Sequence, residues 1–182
     1  MERQLPIILV TCRASAEQRA AFRDVLDGET SVIFQNEVPD ANRLEILEKA
    51  SALLSWNLSR EVPGEYFAHL KPGILIQLMS AGADHMPFGD LPQYVTIASN
   101  AGAYARPMAE HILAMTLALA KRLMIENQKL LHGEFDQFTP NRSLAGMTVG
   151  ILGFGGIGRA TARLMRAFDT RIFAINHSGL SA

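Results

Sequence analysis

Short apolar runs alternate with amphipathic segments along the first hundred residues of the chain. Between these runs, a capping box at 15–18 opens a predicted helix that reaches about residue 26, and helical segments are predicted at 43–49 and 63–70. Strand and helix in alternation predict a parallel sheet with right-handed crossovers, in which ligands bind at the carboxyl ends of the strands. The runs that predict strands lie at 7–10, 31–34, 52–55, 74–79 and 94–98.

A long helix is predicted at 108–131, with apolar residues all around its circumference. A membrane span is the competing interpretation. The Glu110–His111 and Lys121–Arg122 pairs leave too few uninterrupted apolar residues between them, so we expect a helix that links two domains and packs in a subunit interface. Adjacent helical positions point about 100 degrees apart, so Glu110 and His111 are expected to be structural rather than an acid/base pair.

The strongest local pattern covers residues 147–176 and is organised around three glycines. An apolar run at 148–152 is too short for a helix and predicts a buried strand, and a second strand is predicted at 171–175. The segment between them, 156–168, has the apolar spacing of a helix. A strand, a glycine turn, a helix and a strand within about 30 residues form the context of a dinucleotide-binding motif. The three glycines fit G-x-G-x-x-G and are Gly153, Gly155 and Gly158.

This glycine pattern favours a dinucleotide as ligand. Gly153 allows a tight exit from the strand, Gly155 leaves space for a diphosphate, and Gly158 lets the helix lie close to the strand. The amides of Gly156 and Ile157, together with the positive end of the helix dipole, favour an anion at this point. The alternative is a tight strand-to-helix turn without a ligand, which we disfavour because three glycines weaken a helix start.

The stretch Ser80-Ala-Gly-Ala-Asp84, here called the carboxylate loop, follows the apolar run at 74–79. Its small residues leave backbone amides accessible, so the amides of Ala81 and Gly82 could hold a carboxylate-bearing substrate. An ordinary loop without a ligand is the alternative, and this stretch taken alone favours it. We expect His85 to be exposed and assign it no role.

Composition narrows the possible partners. The chain has 182 residues, which indicates one domain or two small ones, and its net charge of −1 gives no electrostatic reason to bind nucleic acid or an anionic membrane.

A single cysteine, Cys12, cannot form an internal disulfide, so a reducing, cytoplasmic location is expected. Cys12 at a strand end is expected to be a packed small residue rather than a nucleophile. The first residues lack the layout of a signal peptide, and we assign no metal ligands.

Three stretches, in order and at matching spacing, resemble the D-isomer-specific 2-hydroxyacid dehydrogenase family. They are SAGAD at 80–84, NAGAYARPMAEH at 100–111 and LAGMTVGILGFGGIG at 144–158. The resemblance implies an α/β fold in which a flavodoxin-like substrate domain precedes the start of a Rossmann-type dinucleotide-binding domain, with a cleft between the two. It also makes the substrate-binding role of Ala81 and Gly82 the favoured interpretation.

The same resemblance implies a division of the chain into three parts. The substrate domain would cover 1–105, the interdomain and dimer helix with its connection 106–143, and the first βαβ unit of the NAD(P)-binding domain 144–182. A homodimer would form through the helix at 107–131. The implied activity is an oxidoreductase that transfers a hydride between NAD(P)H and a small 2-keto acid, giving a D-2-hydroxy acid.

The cofactor is expected to be NAD or NADP, and the sequence leaves both open. Members that prefer NAD carry an acidic residue near the end of the second strand, where this chain has Asn176. A neutral side chain neither holds both ribose hydroxyls nor repels a 2′-phosphate, and His177 and Ser178 could help to hold that phosphate. The residues expected to bind the cofactor are Gly153, Phe154, Gly155, Gly156, Ile157, Gly158, Asn176, His177 and Ser178.

The catalytic residues implied by the resemblance have no counterpart in this chain. In the family the arginine, the acid and the acid/base histidine lie in the later part of the cofactor domain, beyond residue 182, so the chain alone is expected to be inactive. It therefore resembles the front half of an NAD(P)-dependent D-2-hydroxyacid dehydrogenase. The alternative is a truncated, non-catalytic fragment that binds nucleotide or dimerises.

Overall fold

The computed structural model describes residues 5–26 and 28–176. The chain divides into two compact units, Met1–Ala101 and Gly102–Ala182. The finer three-part division expected from the sequence stays a prediction. None of the helices in the described ranges is both long and apolar enough to cross a bilayer.

A five-stranded parallel sheet forms the centre of the first unit. Its strand order is β2-β1-β3-β4-β5, which is the flavodoxin-like order, and the fold class expected from the sequence is therefore confirmed. Each strand lies within two residues of its predicted position at both ends. The strands are β1 (Ile7–Val10), β2 (Ser31–Phe34), β3 (Ala50–Ser55), β4 (Leu75–Leu78) and β5 (Thr96–Ala98).

The helices of the first unit complete its core. The predicted capping box begins the first helix: Ser15 N–H donates to Gln18 Oε1 at 2.9 Å, and Gln18 N–H donates to Ser15 Oγ at 3.2 Å. Apolar side chains from strands and helices bury each other fully, among them Leu47, Leu53 and Ile76. The helices are α1 (Ala16–Leu26), α2 (Arg43–Lys49) and α3 (Leu58–Glu61), with 3-10 turns at Gln35–Glu37, Asp40–Asn42 and Gly64–His69.

In its described residues, 102–176, the second unit contains two parallel strands and three helices. Its two strands occupy the predicted positions, and β6 pairs in parallel with β7. The buried side of α6, which includes Thr161, Ala162 and Met165, packs in this unit together with α4. The elements are α4 (Ala105–Ala120), α5 (Leu123–Leu131), β6 (Thr148–Leu152), α6 (Gly156–Arg166) and β7 (Arg171–Ile175).

The expectation that β6 is buried is wrong for the described chain. Its residues alternate between half-buried and exposed, and the Leu152 side chain is 89% exposed. The physical reason is that β6 pairs only with β7, so these two strands are not enclosed as the centre of a larger parallel sheet would be.

The single helix expected at 107–131 is also a wrong prediction, because α4 and α5 are separate helices. Arg122 adopts a left-handed backbone conformation with φ of 57°, which ends one helix and begins the next. The end of α4 is tied instead to the following connection: Arg142 N–H donates to Ala120 O at 3.0 Å and Lys121 Nζ donates to Arg142 O at 2.9 Å. Pro107 lies in the first turn of α4, where a missing N–H costs no hydrogen bond.

Candidate functional site

The turn between β6 and α6, residues 153–158, is here called the glycine turn. Gly153 N–H donates to Ile175 O at 2.8 Å, which extends the pairing of β6 and β7 by one residue. The φ of Gly153 is +95°, a value that L side chains rarely adopt, so glycine is needed where the chain leaves the strand.

Gly158 brings α6 into close contact with this turn. A Cβ added at Gly158 would lie 2.2 Å from Gly153 O and 3.3 Å from Ile151 Cγ2. Real Cβ atoms do not approach a backbone oxygen so closely, so any side chain here would push the helix away from the strand. The position of the first turn of α6 therefore depends on the missing side chain of Gly158.

Gly155 and Gly156 differ from Gly158, because each has room for an added Cβ. A Cβ on Gly155 would have no neighbour within 4 Å, and one on Gly156 would make an ordinary contact of 3.6 Å with Ala105 Cβ. Gly155 is the N-cap residue of α6, and no side chain caps the helix. Because the first amides of a helix have no partner within it, this exposed helix start suits an anionic ligand.

The other residues expected at the cofactor site lie close to this turn in the chain or in the sheet. Ile157 is exposed and Phe154 is half-buried. Asn176 directly follows β7, and Leu152 pairs with Ile175, so the ends of the two strands lie at the same edge of the sheet. Asn176 is half-buried. His177 and Ser178, which were also expected here, lie outside the described residues.

A cavity of about 540 Å³ lies in the second unit beside β6. Its lining is largely apolar and includes Ile112 of α4, Val149 of β6 and Met165 of α6. The buried hydroxyl of Thr161 lines it and has no hydrogen-bond partner in the described part of the chain. An apolar cavity does not suit a diphosphate, and neither Gly155 nor Gly156 lines it, so the candidate anion site is the exposed helix start instead.

The carboxylate loop of the first unit follows β4. It is held from both sides: Ser80 Oγ donates to Gly82 O at 2.8 Å, and Asn100 N–H donates to Ser80 O at 2.9 Å. Ala81 and Gly82 are exposed, and within 5–26 and 28–176 their amides have no acceptor. Two fixed amides that face solvent can bind a carboxylate.

His85 is not exposed as expected, because it is half-buried and its Nε2 has no partner among the described residues. The cause is the turn that follows the carboxylate loop. Met86 N–H donates to Ala83 O at 3.0 Å, and the Met86 side chain is buried in the core, which draws the neighbouring His85 towards the fold.

Cys12 is buried and free, as expected for a packed small residue. Burial raises the pKa of its thiol, and the charge of Glu61 raises this pKa further. A thiol with a raised pKa is a poor nucleophile at neutral pH, which argues against a catalytic role.

Glu61 was given no role from the sequence, yet its carboxylate is bonded by residues from two strand ends. The available signal was weak: Thr11 and Ser55 are hydroxyl residues at the ends of predicted strands, and an acid follows six residues after the second. Only the fold brings the two strand ends together, so the sequence alone could not reveal the arrangement.

Comparison with known proteins gives consistent results. The family profile described as D-isomer specific 2-hydroxyacid dehydrogenase, NAD binding domain, matches residues 113–182. The chain is 26% identical over 175 residues to the glyoxylate reductase/hydroxypyruvate reductase of Homo sapiens, covering 91% of this chain and 52% of that protein. It is 24% identical over 173 residues to the glyoxylate reductase of Pyrococcus furiosus, covering 78% of this chain and 51% of the relative.

Solved structures extend the comparison to the fold. A glycerate dehydrogenase related protein from Thermoplasma acidophilum matches with a TM-score of 0.71 and 34% identity, over 96% of this chain and 56% of that one. The D-lactate dehydrogenase of Aquifex aeolicus, solved in complex with NAD and lactic acid, matches in fold with a TM-score of 0.69 at 21% identity, over 97% of this chain and 52% of that one.

The chain spans about half the length, or less, of the curated relatives it matches. The family profile is described as an NAD binding domain, and this supports NAD(P) as the cofactor. Residues 113–182 match the NAD binding domain profile of the D-isomer-specific 2-hydroxyacid dehydrogenase family, and most of the chain is similar to the relatives named above, which confirms the resemblance expected from the sequence.

Proposed function

We propose that the chain is part of an oxidoreductase that transfers a hydride between NAD(P)H and a 2-keto acid, forming a D-2-hydroxy acid. The single observation that carries the proposal is the glycine turn, where α6 begins after Gly155, no side chain of the described residues caps it, and a Cβ on Gly155 would have no neighbour within 4 Å. When bound there, NAD(P)H supplies the hydride. The similarity of the chain to this family supports the reaction class.

The residues proposed to hold the diphosphate are those of the glycine turn, 153–158. Their amides provide the hydrogen bonds and the dipole of α6 provides a favourable potential. Asn176 is proposed to face the adenosine ribose, because it directly follows β7, the strand paired with β6.

The proposed substrate site is the carboxylate loop. Ala81 and Gly82 are exposed residues, and their loop is fixed by the bonds of Ser80 and Asn100, so their amides are proposed to meet a substrate carboxylate as donors that are already oriented. The proposed substrates are small 2-keto and 2-hydroxy acids, which are the class named for relatives such as glyoxylate reductase and D-lactate/D-glycerate dehydrogenase.

A homodimer is proposed to form through α4 and α5. These helices carry several exposed apolar side chains, including Met115, Leu119, Met124 and Leu131, and apolar patches of this kind mark interfaces. Sedimentation equilibrium at micromolar concentration tests the proposal, and a monomer would contradict it.

The cofactor site is tested with Gly155→Val. Gly155 has φ of −80°, outside the left-handed range that favours glycine, and its added Cβ would meet nothing within 4 Å. The substitution should therefore leave the fold intact and place a branched side chain where the diphosphate binds. We expect calorimetric titration with NAD⁺ and with NADP⁺ to show affinity reduced by about 100-fold or more, from the loss of several diphosphate contacts.

Gly150→Val is the matched control, since Gly150 lies in β6 and its added Cβ would also meet nothing within 4 Å. This variant should bind both dinucleotides like the unmodified chain. Circular dichroism of both variants establishes that the fold is kept. Unchanged affinity in a folded Gly155→Val variant would refute the assignment of the site.

A further inference from the structure

The carboxyl ends of β1 and β3 form a crevice in the first unit, here called the switch-point crevice. From β1 the chain runs outward to β2 on one side, and β3 lies on the other side of β1. Open α/β sheets bind ligands at this reversal of strand order, because the loops diverge there and leave a gap. In this chain the gap contains the carboxylate of Glu61, at the end of α3.

Four donors converge on this carboxylate, two on each oxygen. Thr11 Oγ1 and Ser55 Oγ each donate to Oε2 at 2.7 Å, and the N–H groups of Asn57 and Trp56 donate to Oε1 at 2.9 and 3.2 Å. Thr11 is 7% exposed and Ser55 is fully buried. A carboxylate has two oxygens with about four lone-pair sites, so the donor set matches this group in number and in arrangement.

The sheet fixes these donors independently of Glu61. Thr11 N–H donates to Leu54 O at 3.0 Å, and Met79 N–H donates to Ser55 O at 2.8 Å. The backbone of Glu61 is anchored separately, since Gln35 Nε2 donates to its carbonyl oxygen at 2.6 Å. Shortening the side chain should therefore leave the donors in place. Thr11 Oγ1 also lies 3.0 Å from Leu54 O and keeps that acceptor, whereas Ser55 Oγ and the N–H groups of Trp56 and Asn57 lose the carboxylate as theirs.

Glu61 is half-buried rather than enclosed, and it lines a cavity of about 450 Å³ together with Asp40, Arg43 and Arg60. Arg43 forms an ion pair with Asp40 at 2.8 Å. When Glu61 is shortened, two guanidinium groups and one carboxylate remain at this cavity, a balance that favours the entry of small anions.

We propose that the switch-point crevice is a carboxylate-binding site which the chain occupies with its own Glu61, and that acetate binds there when Glu61 is shortened to alanine. Alanine keeps the Cβ and removes the Cγ and the carboxylate, which are two carbons and two oxygens. The vacated space therefore has the size of acetate and is surrounded by donors for its negative charge. The inference concerns a site distinct from the proposed cofactor turn and does not depend on the proposed function.

The test compares the thermal unfolding of Glu61→Ala, Glu61→Gln and the unmodified chain in acetate, in chloride of equal concentration, and in neutral acetamide. We expect acetate to raise the Tm of Glu61→Ala along a saturable curve. Chloride and acetamide should have no saturable effect. Glu61→Gln keeps the crevice filled, so it should respond like the unmodified chain.

The unmodified chain also controls for the carboxylate loop. Acetate bound at Ala81 and Gly82 would shift all three proteins equally, whereas occupation of the crevice shifts only Glu61→Ala. An equal shift in all three, or none in Glu61→Ala, would overturn the proposal. If Glu61→Ala is recovered only as aggregate, its refolding yield in acetate and in chloride is compared, and equal yields would count against the site.

Discussion

The two units differ in whether the hydrogen-bond donors at their strand ends already bind an anion of the chain. In the first unit, four donors at the ends of β1 and β3 are satisfied by Glu61, an anion that the chain supplies. In the second, the glycine turn begins a helix with no side-chain acceptor at its start. Because buried donors need partners, the filled crevice is closed to external ligands, whereas the exposed turn is open to one. Of these two sets of donors, only those of the glycine turn are left open to an external anion.

The two units also differ in how completely they bury their large apolar side chains. The first unit buries large side chains such as Leu53, Ile76 and Leu78 completely. The strands of the second leave Leu152, Phe173 and Ile175 largely exposed. Stability in the first unit comes from a closed apolar core, whereas in the second it depends more on a few close approaches, of which the contact at Gly158 is the tightest.

The largest expected effect comes from Gly158→Ala. The added Cβ would lie 2.2 Å from Gly153 O, so strand and helix must separate. We expect a loss of about 2–3 kcal/mol in the free energy of unfolding of the second unit, the upper range for overpacking. Urea denaturation followed by hydrogen exchange of α6 measures it.

Gly156→Ala is the matched control, because its Cβ would make an ordinary 3.6 Å contact with Ala105 Cβ. Alanine in a helix is favoured over glycine, so this variant should be neutral or more stable by about 0.5 kcal/mol. Equal stability of the two variants would mean that close packing at Gly158 does not hold the turn.

Local signals in the sequence were sufficient for most of the fold. The capping box of Ser15 and Gln18, and the strands at 148–152 and 171–175, depend on neighbouring residues and were predicted correctly. The break at Arg122 was not predictable, because Lys121 and Arg122 are good helix formers. The contacts that tie the end of α4 come from Arg142, twenty residues further along the chain.

The candidate sites also differ in whether the local sequence could predict them. The glycine turn could be predicted because its chemistry lies within a few consecutive residues. The role of Glu61 could not, since Thr11 is 50 residues away in sequence and reaches the carboxylate only through strand pairing. The half-buried state of His85 likewise depends on the packing of Met86, which the local pattern does not reveal.

A smaller effect is expected from Asn176→Asp, which adds a chain-supplied anion beside the open turn. If Asn176 faces the adenosine ribose, a carboxylate there would repel a 2′-phosphate and accept hydrogen bonds from the ribose hydroxyls. We expect the ratio of the Kd for NADP⁺ to the Kd for NAD⁺ to rise about tenfold, which corresponds to about 1.4 kcal/mol.

Calorimetric titration with both dinucleotides measures this ratio. Asn141→Asp is the control, because Asn141 is exposed in the connection before β6 and receives the same added charge. An unchanged ratio in Asn176→Asp would show that this residue does not contact the ribose end of the cofactor.

The smallest effect concerns Asp136, a second carboxylate that the chain surrounds with its own donors. It pairs with Lys129 Nζ and accepts hydrogen bonds from Thr139 Oγ1 and from the N–H groups of Phe138 and Thr139, the last two at 3.0 Å. The Lys129 hydrogen bond, followed by those of Thr139 and Phe138, holds the pKa of Asp136 well below its usual range.

Because the folded-state pKa of Asp136 is depressed, its stabilising effect is present above the ordinary Asp pKa of about 3.9 and is lost as pH falls below that value. Protection factors for the amides of Phe138 and Thr139 should therefore fall a few-fold between pH 6 and pH 3, a local opening rather than global unfolding. Asp136→Asn should show low protection at both pH values, whereas Glu134→Gln, which removes an exposed charge two residues away, should behave like the unmodified chain. Equal pH dependence in Asp136→Asn and the unmodified chain would mean that this carboxylate does not order the connection, and that the contrast between filled and open donor sets is confined to Glu61 and the glycine turn.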